Sequence, residues 1–185
     1  MIELAMHISD IVENSVNAGA KNVIIQIEEK TNEDQLIIAI HDDGRGMDEV
    51  MVKRALDPFV TTKEGKKVGL GLSLLAEAAR KTGGKMGISS KPHQGTHVEA
   101  VFVFSHVDRQ PLGNMTDTLW TLIIGNPDVE FSYTVIQDNH LMEWNTGEIK
   151  KQFGNMNRSS PDVFHFIRQE LEKVEAVRST PKIKE

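Results

Sequence analysis

The chain has 185 residues, 27 acidic against 21 basic side chains, a formal charge of −6 and no cysteine. That length suits one domain, or one domain with an appendage, and the missing cysteines exclude disulfides, thiolate metal sites, a Cys nucleophile and an iron–sulfur cluster held by this chain alone. The acidic balance argues against a duplex-binding surface, no apolar run reaches membrane-span length, and the first ten residues carry acids where a signal peptide needs a basic flank. The composition therefore predicts a cytoplasmic protein with neither nucleic acid nor membrane as partner.

Leu4, Ile8, Ile11, Val12 and Val16 recur at helical spacing and predict a helix with one buried face. Asp10, Asn14 and Asn17 fall at i, i+4 and i+7 along another side of it, and Gly19 follows as a stop. Residues 22–28 and 35–41 read as strands joined by a polar turn, and the second runs straight into Asp42-Asp43-Gly44-Arg45-Gly46-Met47. Asp48 is placed to cap a short helix to about Leu56. A polar, Gly- and Lys-bearing loop covers Asp57 to Val68, after which Gly69-Leu70-Gly71-Leu72 opens a helix ending at Gly83-Gly84. Strands at about 85–90 and 97–104 follow, so the first hundred residues predict helices on one face of a largely antiparallel sheet. Beyond them come a short helix over 117–124, a hairpin signal over 129–145, and a helix started by Ser160-Pro161-Asp162 that reaches about Val177.

The first hundred residues supply a candidate for each group that bound ATP needs. Asp42, at a strand end, is suited to accept from the exocyclic amine of adenine and to repel the carbonyl that guanine offers there. Gly44 and Gly46 let backbone pass close to a base; Asn14 offers an amide oxygen to Mg²⁺. Gly69 and Gly71 open a helix whose free N–H groups and dipole favour phosphate, and Lys63, with Lys66 or Lys67 as further candidates, can reach the terminal phosphate from the loop.

These blocks carry a resemblance. Asp10-Ile11-Val12-Glu13-Asn14-Ser15-Val16-Asn17-Ala18-Gly19-Ala20, then Asp42-Asp43-Gly44-Arg45-Gly46, Phe59-Val60-Thr61-Thr62-Lys63, Gly69-Leu70-Gly71-Leu72 and Gly95-Thr96 stand in the order found in the gyrase, heat-shock chaperone, histidine-kinase and MutL ATPase superfamily. The first block is most similar to MutL, and the 57–75 loop to the nucleotide lid of sensor histidine kinases. The resemblance spans roughly residues 7–104. It implies the Bergerat-type ATP fold: α+β, a two-layer α/β sandwich with a mixed, mostly antiparallel sheet and helices on one face, here extended by a C-terminal hairpin and helix. It divides the chain into a histidine-kinase-like ATP-binding domain over 1–108 and a C-terminal extension over 109–185 packed on it. Carried over by position, it implies that Asn14 binds magnesium, Asp42 reads adenine, and Gly44 and Gly46 line the purine edge. Phe59 would pack in the lid, Gly69 and Gly71 would face phosphates, and Thr96 would help hold Asp42 or a water near adenine. Asn17, Met47, Thr62, Lys63, Leu70 and Leu72 complete the expected cofactor site.

Departures from the pattern sharpen the expectation. Hydrolysing members carry a water-activating Glu four residues before the magnesium Asn; here Asp10 stands there, one methylene shorter, a weak general base at most. The helix begins almost at residue 1, where kinase ATP domains place a strand first, and the 129–145 hairpin is expected to extend the sheet in its place. None of the seven His sits in a phosphoacceptor setting. The resemblance thus implies an ATP- and Mg²⁺-binding, kinase-like regulator that transfers the γ-phosphate to a Ser or His of a partner protein. A slowly hydrolysing ATP-gated switch and a nucleotide sensor without turnover stand as alternatives, and a homodimer is left open.

Overall fold

Alternation of apolar and polar residues sets the register of the sheet. In the computed structural model, which describes residues 3–55, 71–154 and 160–179, β1 (Asn22–Lys30) and β2 (Gln35–Asp42) pair antiparallel, with Ile25 opposite Ile40 and Ile27 opposite Ile38. The same inward row continues through Val98 and Ala100 of β4 (Thr96–Val103) and Ile88 and Met86 of β3 (Lys85–Ser90). Asp34 takes the left-handed conformation that the β1–β2 turn requires, and its carboxylate accepts from the N–H and hydroxyl of Ser105, tying the turn to the end of β4.

The hairpin of 129–145 does extend the sheet. It forms β5 (Glu130–Gln137) and β6 (His140–Asn145), and β5 lies parallel to β1, giving the order β3-β4-β2-β1-β5-β6. A parallel pair needs a crossover. Here it runs from β4 through α4 (Met115–Gly125), which packs on α1 (Leu4–Asn17). α4 begins two residues earlier than its apolar pattern suggests, because Asn114 caps it: the Asn114 carbonyl oxygen accepts from the Asp117 N–H and its amide donates back to the Asp117 carboxylate.

The helices cover one face of the sheet, so the layers number two. α1 buries Leu4, Ile8, Ile11 and Val12, and its first turn, lacking a side-chain cap, donates backbone N–H groups of Leu4 and Ala5 to the carbonyls of Pro111 and Leu112. α3 (Gly71–Lys81) contributes Leu75, Ala78 and Ala79. α6 (Pro161–Ala176) starts at the Ser160 cap, with Pro161 as its first residue, and buries Val163, Ile167, Leu171 and Val174 against β5, β6 and α4. α5 (Gly147–Phe153) has no counterpart in the sequence reading: it is a single short helix with one buried residue, Ile149, and so carries no periodic stripe. No helix among the described residues is long and apolar enough to cross a membrane.

Just past α6 the chain is fastened to the sheet by a buried ionic cluster. Arg178 Nε donates to Glu29 Oε1 at 2.7 Å and its Nη1 to Glu175 Oε2 at 2.7 Å, while the Tyr133 hydroxyl donates to Glu175 and Gln137 donates to Glu29. Burial pushes the Tyr133 phenol well above its usual value and the Glu175 carboxylate pushes it further, so the hydroxyl stays a donor. Burial opposes the Arg178 charge, but its bond to Glu29 and the neighbouring carboxylates outweigh that cost and hold it more firmly protonated.

Candidate functional site

The opposite end of the sheet assembles the residues singled out from the sequence. The stripe of Asp10, Asn14 and Asn17 emerges on one side of α1, with Asp10 and Asn17 exposed and Asn14 half-buried. None of these three side chains is hydrogen-bonded or ion-paired among the described residues, so a carboxylate and two carboxamides stand free for a ligand. α2 (Glu49–Arg54) packs by β3 and is capped by Asp48, whose carboxylate accepts from the Met51 N–H.

Asp42 ends β2 on the inward, helix-covered row. It is 4% exposed, and its Oδ2 accepts from the Ser15 hydroxyl at 2.7 Å and its Oδ1 from the Gly44 N–H at 2.8 Å. No Lys, Arg or His among the described residues pairs with it, which leaves a buried carboxylate with acceptor capacity unused and no cation to neutralise it. The next residue has a different task. Asp43 is exposed and caps the entry to β1, accepting from the backbone N–H groups of Lys21 and Asn22 and from the Asn22 amide. The slight burial of Asp43 raises its carboxyl, but these donors outweigh that and hold it below the usual range.

The glycines are fixed by close backbone approach. A Cβ on Gly44 would sit 3.0 Å from the Ala18 Cβ, and the neighbouring Arg45 N–H donates to the Ala18 carbonyl, so this loop lies across the end of α1. Gly46 has a left-handed φ of 65°, and a Cβ there would fall 1.9 Å from the Lys91 carbonyl oxygen. Gly71, the first residue of α3, would place a Cβ 2.9 Å from that of Asp10, which seats the stripe of α1 at the mouth of a helix N-terminus. Leu72 is half-buried behind it. Phe59, Thr62, Lys63, Gly69 and Leu70 lie outside the described residues, as do Lys66 and Lys67.

Thr96 stands opposite Asp42 in the β2–β4 register, but its hydroxyl pairs with Ser90 Oγ at 3.0 Å, and the donors on Asp42 are Ser15 and Gly44 instead. Ser90 also donates to the Gly95 carbonyl and accepts from the Met47 N–H, pinning the 44–47 turn to the β3–β4 turn. Ser15, Ser90 and Asp43 thus shape the site without having been assigned a role from the sequence. Ser15 had one available signal, its place one residue after Asn14 in the first block. On the far side of the sheet, where the two-residue period turns them away from Asp42, His41 and His97 face each other with ring centres 6.1 Å apart.

As for fit to a nucleotide, the donor set among the described residues is coherent: a fixed acceptor for a base that no cation pairs with, an amide oxygen of the kind magnesium takes, and the first described turn of α3 beside Asp10 for phosphate.

Comparison with known proteins agrees with this geometry. A family model described as histidine kinase-, DNA gyrase B- and HSP90-like ATPase matches residues 2–106. The sensor histidine kinase YxdK of Bacillus subtilis (strain 168) is 30% identical over 105 residues, covering 54% of this chain and 32% of its own length. The DNA mismatch repair protein MutL of Clostridium botulinum (strain ATCC 19397 / Type A) is 43% identical over 56 residues, 30% of this chain and 8% of its own. Among solved structures, the N-terminal domain of a DNA repair protein superposes with a TM-score of 0.54 at 16% identity, covering 94% of this chain and 57% of that one, which shows a shared fold. The chain spans about a third or less of the length of these two curated relatives.

Proposed function

This chain belongs to the histidine kinase-, DNA gyrase B- and HSP90-like ATPase family, and from that we propose that it holds Mg-ATP between α1 and the Asp42 turn and passes the γ-phosphate to a partner protein. ATP binding comes with the family; the observation that carries its placement is Asp42, a buried carboxylate held by two donors and paired with no cation among the described residues. In this reading Asp42 accepts from the adenine amine, Gly44 and Gly46 border the purine, Asn14 holds magnesium and the N-terminus of α3 receives phosphate. Magnesium, when bound, offsets phosphate charge.

Transfer is favoured over hydrolysis because of what stands at residue 10. The bond from the γ-phosphorus to the β–γ bridging oxygen breaks, ADP leaves with that electron pair, and the phosphorus bonds to a Ser oxygen or His nitrogen of the partner. Asp10 is the free carboxylate on the stripe that can take the acceptor's proton. A small water must be held at a defined distance by its base, and a side chain one methylene short serves that poorly; a protein acceptor is positioned by its own docking. The likeness to a sensor histidine kinase over 105 residues supports this reading. A second reading, a slowly hydrolysing ATP-gated switch, draws on the MutL likeness of the first block; a sensor that binds without turnover is the third outcome. γ-Labelled ATP given to the full chain with proteins co-purified from its native cell separates them. Label on a partner supports transfer, label released as phosphate supports the switch, and binding with neither leaves the sensor.

A further inference from the structure

We infer that Ser15 is a positioning residue whose hydroxyl fixes the preference of Asp42 for a 6-amino over a 6-oxo purine, an inference that rests on the nucleotide reading above. Ser15 is itself buried, and its single proton has two acceptors within reach: Asp42 Oδ2 at 2.7 Å and the Ile11 carbonyl at 3.3 Å. The shorter bond goes to the carboxylate. That choice has two consequences. Asp42 keeps a donor on each oxygen, and no cation among the described residues pairs with it. The Ser15 proton is also committed, and so is not offered to a ligand carbonyl.

Removing the hydroxyl reverses this. In a Ser15→Ala protein Oδ2 loses that donor, and the carboxylate loses the bond that fixes its orientation toward the base. A carboxylate no longer held in place accepts from the 6-amino group and repels the 6-oxo group less effectively, so the base preference narrows. The effect passes through Asp42, and Ser15 need not touch the nucleotide.

Calorimetry with the full chain, Mg²⁺ and either ATP or inosine triphosphate at neutral pH reads the preference directly. The parent should favour ATP, Ser15→Ala should lower the ATP-to-ITP affinity ratio by about tenfold or more, and Ser15→Thr, which keeps the hydroxyl, should hold the parental ratio. Should the Ala protein fail to fold, Ser15→Cys, similar in size and a weak donor, gives the same readout. Equal losses for both nucleotides, or an unchanged ratio, would mean Ser15 only supports the helix and would overturn the inference. A parent that binds neither nucleotide overturns the placement of the base as well; a parent selective for ATP whose ratio ignores Ser15 overturns this inference alone.

Discussion

Replacing Asp42 by Asn tests its proposed role as the reader of the base with little disturbance of the fold. The amide is nearly the same shape, and the surroundings accommodate it: its oxygen can keep the Gly44 N–H that Oδ1 now accepts at 2.8 Å. Its NH₂ then faces Ser15, whose hydroxyl becomes the acceptor and sends its own proton to the Ile11 carbonyl 3.3 Å away. Every polar group stays paired, so the melting temperature should move little. What disappears is the negative charge and one acceptor. A hydrogen bond to a charged group contributes about 1.5–3 kcal/mol, which corresponds to roughly 12- to 150-fold in the dissociation constant. Titration calorimetry with ATP and Mg²⁺ measures that loss. An Asp42→Asn protein with unchanged melting and unchanged affinity would show that adenine is read elsewhere.

Five other outcomes follow from the geometry. Asn14→Ala should slow magnesium-dependent phosphate transfer or release by at least about tenfold while leaving nucleotide affinity within a few-fold, and a parental rate would remove the metal assignment. Asp10→Glu restores the missing methylene and should raise phosphate release by part of the roughly 10²–10⁴ that a placed general base supplies; an unchanged rate would mean residue 10 does not face the terminal phosphate. Gly46→Ala puts a Cβ 1.9 Å from the Lys91 carbonyl oxygen in a left-handed backbone, and urea unfolding should register a loss of about 1–3 kcal/mol. At the other end, Arg178→Ala strands Glu29, whose side chain is 5% exposed, at a cost of about 3–5 kcal/mol. The Tyr133 phenol there titrates above its usual value in the fold, so its contribution is complete below pH 10 and is lost as pH rises beyond it; Tyr133→Phe should flatten the alkaline fall of the melting temperature.

What the sequence revealed and what it withheld divide along the range of the interactions. The strands β1 and β2 were legible because their apolar residues alternate within a few positions, and the stripe of Asp10, Asn14 and Asn17 because helical spacing is a local property. The ordered blocks then pointed to Asp42 as the candidate reader of the base. The sequence could not separate Asp42 from Asp43, two adjacent carboxylates of the same chemistry. That distinction is made by the pleat, which turns Asp42 inward, and by the entry to β1, which supplies Asp43 with backbone N–H donors. Hydroxyls were harder still. Ser15 finds its partner 27 residues away and Ser90 meets the Met47 N–H 43 residues away, while Thr96, which looked placed for Asp42, is held by Ser90. A serine carries no periodic signal, so its role appears only when the sheet register brings its acceptor to it. The same reasoning explains why the Glu29–Arg178 pair, 149 residues apart, had no trace in the sequence. It forms because β5 chose β1 as its parallel neighbour and so carried the end of α6 to the far end of β1. A hairpin signal can announce two strands, but which edge they join is settled by the unpaired edge of β1 and the apolar row of Val23, Ile25 and Ile27 that Phe131, Tyr133 and Val135 continue.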